Sequence, residues 1–174
     1  MSAIISPCGL YRYRLDRTVP NSIDDQTFAF FGVNPSTADA TLDDATVRKW
    51  IGFTQRYGGR RFIVGNVFAY RATDVRALNT QQPIGPDNDR YLREIIAEAD
   101  VLIPCWGSRE KVPGHLRQHL DKTMALLVAS DKPVLCFGLT LGGDPKHPLM
   151  LGYDTRLVPI DMPEMPSAIQ GDTR

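Results

Sequence analysis

The feature that most restricts this chain is an alternation. Four short apolar runs, Phe28 to Val33, Phe62 to Phe68, Val101 to Trp106 and Val134 to Phe137, are separated by stretches whose apolar residues recur with helical period. Each run is of strand length, and a strand buried on both faces reads as a continuous apolar segment. Connections long enough to hold a helix join parallel neighbours, so the pattern predicts an α/β fold of three layers, α/β/α, around a central, mainly parallel four-stranded sheet. The intervening stripes agree. Val47, Trp50, Ile51, Thr54 and Tyr57 fall on one helical face, with Asp43 or Asp44 placed to cap its start and Gly58 to end it. Leu92, Ile95, Ile96 and Ala99 mark a second helix after the Gly85-Pro86-Asp87 turn. Leu116, Leu120, Met124 and Leu127 mark a third, which stops before Lys132-Pro133. Tyr11 to Leu15 alternates as an edge strand would, and Leu157 to Ile160 is a second candidate of that kind. A single domain over residues 1–161 is expected, then a loose tail over 162–174, where proline, glycine and polar residues replace apolar periodicity.

Composition limits the partners. Twenty basic and twenty acidic side chains among 174 residues cancel to a formal charge of zero, so any nucleic-acid contact must be a local patch rather than a global field. The cysteines Cys8, Cys105 and Cys136 are odd in number and widely spaced, a pattern that fits neither a disulfide framework nor a zinc site. No metal and no cofactor is therefore expected, and the thiols read as reduced. Nowhere does the chain offer the roughly 20 apolar residues of a membrane span, and residues 1–15 lack a signal-peptide core, so a cytoplasmic protein without membrane contact is expected.

Open α/β sheets bind ligands outside the carboxyl ends of their strands, so the residues there are the candidates. The first strand ends in Asn34-Pro35-Ser36-Thr37-Ala38-Asp39, where the polar groups can face a ligand or satisfy their own turn amides. In the second, Asn66 interrupts an apolar run; its amide can read a base edge or tie two strands together. Arg71 suits a phosphate, with an ion pair to Asp74 as the alternative. Trp106 can stack on a base or belong to the core. His147, with Lys146 before it and Pro148 after it, lies in a segment too rich in turn formers for a core histidine. Its imidazole can stabilise developing charge or sit exposed in a loop. His115 and His119 are one turn apart but lack a third ligand, and are read as surface or boundary residues.

Gly32-Val33-Asn34-Pro35, Asn66-Val67 with Arg71, the aromatic-glycine strand end at Trp106 and the late His147-Pro148 pair resemble the uracil-DNA-glycosylase superfamily. The longer stretches Asn34 to Asp39, Asn66 to Asp74, Gly85 to Asp89 and Lys146 to Leu149 are similar to a bacterial and phage domain family that carries no settled activity. The superfamily resemblance implies a glycosylase-like fold and a nucleobase N-glycosylase acting on a modified or deaminated base in DNA or a nucleotide. In that reading Asn34 orients water, Asp39 is a possible base and His147 stabilises the departing base. Asn66 reads the base edge, with Trp106, Ser36 and Thr37 also binding, while Arg71 and Lys146 hold phosphates. Ser36 stands where a glycine usually follows Asn-Pro, and Leu149 where the resemblance implies serine. Two other expectations follow the same residues: a reader that binds a base or nucleotide without turnover, and a structural or partner-binding module.

Overall fold

In the computed structural model, which describes residues 1–20 and 22–160, the first three apolar runs become β3 (Thr27–Gly32), β4 (Arg61–Asn66) and β5 (Val101–Pro104). β3 lies between the other two and is parallel to both, with Phe28 opposite Phe62 on one side and Val101 on the other. Helices cover both faces, which is why every residue of β3 is buried. On one face α1 (Ala45–Arg56) packs Val47, Trp50 and Phe53 against Phe28, Phe30, Phe62 and Val64. On the other, α2 (Asn88–Glu98) and α3 (Gln118–Val128) pack Leu92, Ile95, Leu120 and Leu127 against the alternate residues Ala29, Phe31 and Ile63. The period of two along the strands thus divides one sheet between two cores. Asp44 caps α1, its Oδ1 accepting the backbone N–H groups of Thr46 and Val47 at 2.9 Å each.

The α/β class holds, but the main sheet is five-stranded and mixed rather than four-stranded and mainly parallel. Its order is β1-β2-β4-β3-β5, where β1 (Ser2–Ile5) and β2 (Arg12–Thr18) form an antiparallel pair laid antiparallel along the outer edge of β4. The Tyr11 to Leu15 segment expected at an edge is therefore largely an interior strand, and Ser2–Ile5 is the edge. The fourth run fails to join as a full strand for a physical reason. Leu102 donates its N–H to the carbonyl of Pro133 at 2.9 Å, and the next donor along that side of β5 would be residue 104. Pro104 has no N–H, so the parallel ladder stops after the single bridge between Leu102 and Val134. β6 (Leu135–Cys136) pairs instead, antiparallel, with β7 (Val158–Pro159), the second candidate strand. The tail expected over 162–174 lies outside the described residues.

The pairing of β1 with β2 is irregular in one place. Ile4 faces Arg14 and Ile5 faces Arg12, so Tyr13 is an extra residue, a β-bulge. Tyr13 stacks on Tyr91 at 5.0 Å between centroids and Arg14 pairs with Glu98 at 2.7 Å, so two consecutive residues of β2 both reach α2. The broken alternation returns Arg12 to the side of α1, along with Leu15 and Arg17. From there Arg12 and Arg17 both reach the loop after β3: Arg12 donates to the carbonyl of Ala38 at 2.8 Å, and Arg17 pairs with Asp43 at 2.7 Å while donating to the carbonyl of Asp39 at 2.5 Å.

Candidate functional site

The chain leaves β3 toward α1 on one face and leaves β4 toward α2 on the other, which opens a crevice at the carboxyl ends of these adjacent strands. A hollow of about 430 Å³ lies there, lined among others by Asn34, Ser36, Asp44, Trp106 and His147. It adjoins a pit of about 40 Å³ lined by Arg12, Gly32, Asn34, Asp44, Asn66 and His147 among others. Thr37 and Arg71, with Ser36, line a neighbouring open hollow of about 460 Å³. Asp39 and Lys146 line none of these three.

Each polar group is held in a defined state. Asn34 donates through Nδ2 to the carbonyls of Ala72 at 2.7 Å and Pro35 at 3.1 Å, leaving Oδ1 as a free acceptor. Asn66, only 3% exposed, is held the other way round: its Oδ1 accepts Nη2 of Arg12 at 3.2 Å. Since a guanidinium has donors only, the amide oxygen must face it and Nδ2 is the atom left over. Gly32 makes room for that atom, because a Cβ there would lie 2.8 Å from it. Arg12 is itself buried, and its Nε has no partner among the described residues. Among the described residues no carboxylate stands within ion-pair distance of it. Burial lowers its pKa to about 10, with Arg71 and Arg17 pulling the same way and Asp44 and Asp39 opposing, so the group stays cationic near neutrality.

His147 enters from the loop after β6. Its Nδ1 accepts the backbone N–H of Leu149 at 3.3 Å, which puts the proton of the neutral ring on Nε2. Burial first, then Lys111, lowers its pKa, with Asp44 opposing. The loop is fixed by Asp144, buried to 1% exposure, which accepts the backbone N–H and Nε of Arg109, both at 2.8 Å. Gly107 adds a backbone bond to Pro145 at 2.9 Å; its φ of +78° needs a glycine, and a Cβ there would come within 3.3 Å of His147 Cβ. Trp106 belongs both to the core and to the wall of the hollow, and its buried indole N–H has no partner among the described residues.

The carboxylate expected at Asp39 is occupied elsewhere. Its Oδ1 accepts the N–H groups of Thr41 at 2.8 Å and Leu42 at 2.9 Å and the hydroxyl of Thr41 at 3.1 Å, and these bonds hold its pKa below the ordinary value. The carboxylate in the crevice is that of Asp44, whose Oδ2 is left over by the helix cap. Arg71 donates to the carbonyl of Gly9 at 3.2 Å and its Nε has no partner among the described residues, whereas Asp74 pairs with Arg76 at 2.6 Å. Lys146 is exposed beside Gly138. His115 is exposed, and His119 lines a separate hollow between α2 and α3 with Asn88 and Lys122. Sequence reasoning missed Arg12 altogether and saw Asp44 only as a cap. A basic residue between two tyrosines in an alternating segment was the available sign of the first.

No curated protein and no solved structure matches this chain. Residues 12–149 match the model of a family described as "Protein of unknown function (DUF1643)". That span begins at Arg12 and ends at Leu149, and takes in every residue of the pit and hollow named above. A match over most of the sequence decides membership: the chain belongs to the DUF1643 family.

Proposed function

We propose that this protein binds a nucleobase in the crevice and cleaves its N-glycosidic bond, in the manner of the uracil-DNA-glycosylase superfamily whose motifs it resembles. One observation carries the reading: Asn34, Asn66 and His147, from three distant stretches of chain, line a single pit. The free oxygen of Asn34 is an acceptor for a water molecule, and Asp44, across the same cavity, takes the role of carboxylate that Asp39 was expected to fill. Asn66 meets the base edge and Trp106 offers it a stacking face. The Nε2–H of a neutral His147 donates to the charge that develops on the departing base. Arg71, with Ser36 and Thr37 beside it, offers a phosphate a charged donor at the rim.

The test is base release from oligonucleotides, nucleotides and nucleosides carrying a panel of modified bases, by the wild type and by Asn34→Ala and His147→Ala. Release is expected from the wild type, with a fall of at least 100-fold in each variant. Absence of release from every substrate refutes the enzymatic reading. A second reading, a binder without turnover, is favoured by the commitment of Asp39 to its own turn; saturable binding with no release selects it.

A further inference from the structure

The hollow that His119 lines lies between α2 and α3 and has a volume of about 490 Å³, within the range of small-molecule sites. Helical period builds its sides: Leu92 stands one turn beyond Asn88, and Lys122 and Leu126 stand one and two turns beyond His119. Leu92 and Leu126, with Val67 and Ile84, give it an apolar lining. Asn88, which also lines it, is 1% exposed and donates through Nδ2 to the carbonyls of Asn66 at 3.0 Å and Val67 at 3.1 Å. Two acceptors on that side fix how the amide is turned, so Oδ1 is the atom left over, and it has no partner among the described residues. A buried acceptor left unmet costs stability, which a donor brought in from outside would restore. Thr123 cannot supply one, because its hydroxyl donates to the carbonyl of His119 at 2.9 Å. The charges on the walls leave one cation over. Arg93 is matched by Asp89 at 2.9 Å, whereas Lys122 is exposed and has no carboxylate within ion-pair distance among the described residues. His119 is uncharged near neutrality, since burial first and then Lys122 lower its pKa.

We infer that the hollow between α2 and α3 is a second ligand site, separate from the crevice, which takes a small carboxylate with an apolar body and an O–H or N–H donor at the end away from its charge. The carboxylate meets Lys122, the body lies against Val67, Ile84, Leu92 and Leu126, and the donor answers Oδ1 of Asn88. A monoanion suits a wall with a single unmatched cation; a phosphate dianion would find Arg93 already held and the Asp89 carboxylate nearby. Lys122 is exposed, so its pairing with the ligand is weak, and the buried acceptor decides the selectivity. The site stands independently of the nucleobase reading, because it shares no lining residue with the pit or with the hollow beside it.

The experiment is a titration of the whole protein, followed by the ring signals of its three histidines in ¹H–¹³C spectra, since His119 lines this hollow, His147 the crevice and His115 neither. The probes are 4-hydroxyphenylacetate, phenylacetate as the same anion without the donor, and 4-hydroxybenzyl alcohol as a neutral ring that keeps the hydroxyl. 4-Hydroxyphenylacetate is expected to bind saturably, to shift His119 and to leave His147 unmoved. Phenylacetate should bind about 10-fold more weakly, through loss of the hydrogen bond to Asn88. The neutral alcohol should bind about 3-fold more weakly, and Lys122→Gln, a change at an exposed position, should weaken 4-hydroxyphenylacetate by a similar factor. Leu126→Trp, which fills the hollow from a half-buried position, should abolish the His119 shift while thermal denaturation shows the protein folded. Equal binding of the phenol and phenyl acids, an affinity that Lys122→Gln leaves unchanged, or the absence of any shift overturns the inference. A shift at His147 in place of His119 also overturns it, by putting the probe in the crevice. None of these outcomes bears on base release, which is measured separately with Asn34→Ala and His147→Ala.

Discussion

His147 illustrates how much a single side chain's surroundings decide. The fold lowers its pKa, chiefly by burial, while the unfolded chain binds the same proton near pH 6.5. The unfolded state therefore holds more protons over the window just below that value, and stability must fall as the pH drops through it. His119 is shifted in the same direction by burial and Lys122, so each accounts for a share. Urea midpoints taken at about pH 7.5 and about pH 5.5 should fall for the wild type and fall less for His147→Gln; equal falls would contradict the assignment. At this scale Asn34, Asn66 and His147 were legible, because each stands at a strand end or in a turn where a polar group needs an explanation. Arg12 was marked only by its place between two tyrosines, since an alternating strand gives no hint of the bulge that aims its guanidinium inward. Nor does a loop with Asp39, Asp43 and Asp44 tell which carboxylate is used up by its own backbone.

At the scale of elements, α1 ties structure to site through its cap. Asp44→Ala removes the acceptor for two backbone N–H groups and should cost about 1 kcal/mol of stability. Asp44→Asn keeps an acceptor of equal capping quality and removes only the charge, so its stability should stay within about 0.5 kcal/mol of wild type. Thermal denaturation separates the two variants, and base release should fall in both if the carboxylate serves the reaction. The three long helices were readable from their period and the three parallel strands from their unbroken apolar runs, because burial on one face imposes the first and burial on two faces the second. The strand at β6 was read too, but not its length or its partner, since its shortness comes from a missing N–H on Pro104, a neighbour in space rather than in sequence. β1 was equally hidden: four residues make a strand only because β2 is there to pair with them.

For the molecule as a whole, the N-terminal hairpin is part of the crevice rather than an addition to the sheet. Arg17, almost wholly buried, gathers Asp43 and the carbonyls of Asp39 and Leu42 from the loop that delivers Asp44 to the site. Replacing it with methionine leaves Asp43 without its partner and the carbonyl of Asp39 without its donor, a loss of roughly 3 kcal/mol. Chemical denaturation would measure it, and faster amide exchange across residues 38–43 should accompany it; a loss under about 1 kcal/mol would show the clamp to be dispensable. The bulge at Tyr13 carries a related consequence for how such chains can vary in length. Adding or deleting one residue between Tyr13 and the pinned pair of Leu15 and Val64 would rotate everything before it by half a turn, sending the guanidinium outward and a tyrosine in its stead. Length changes are ordinarily tolerated in an outer hairpin, but here a one-residue change would withdraw Arg12 from Ala38 and Asn66 while sparing the rest of the sheet.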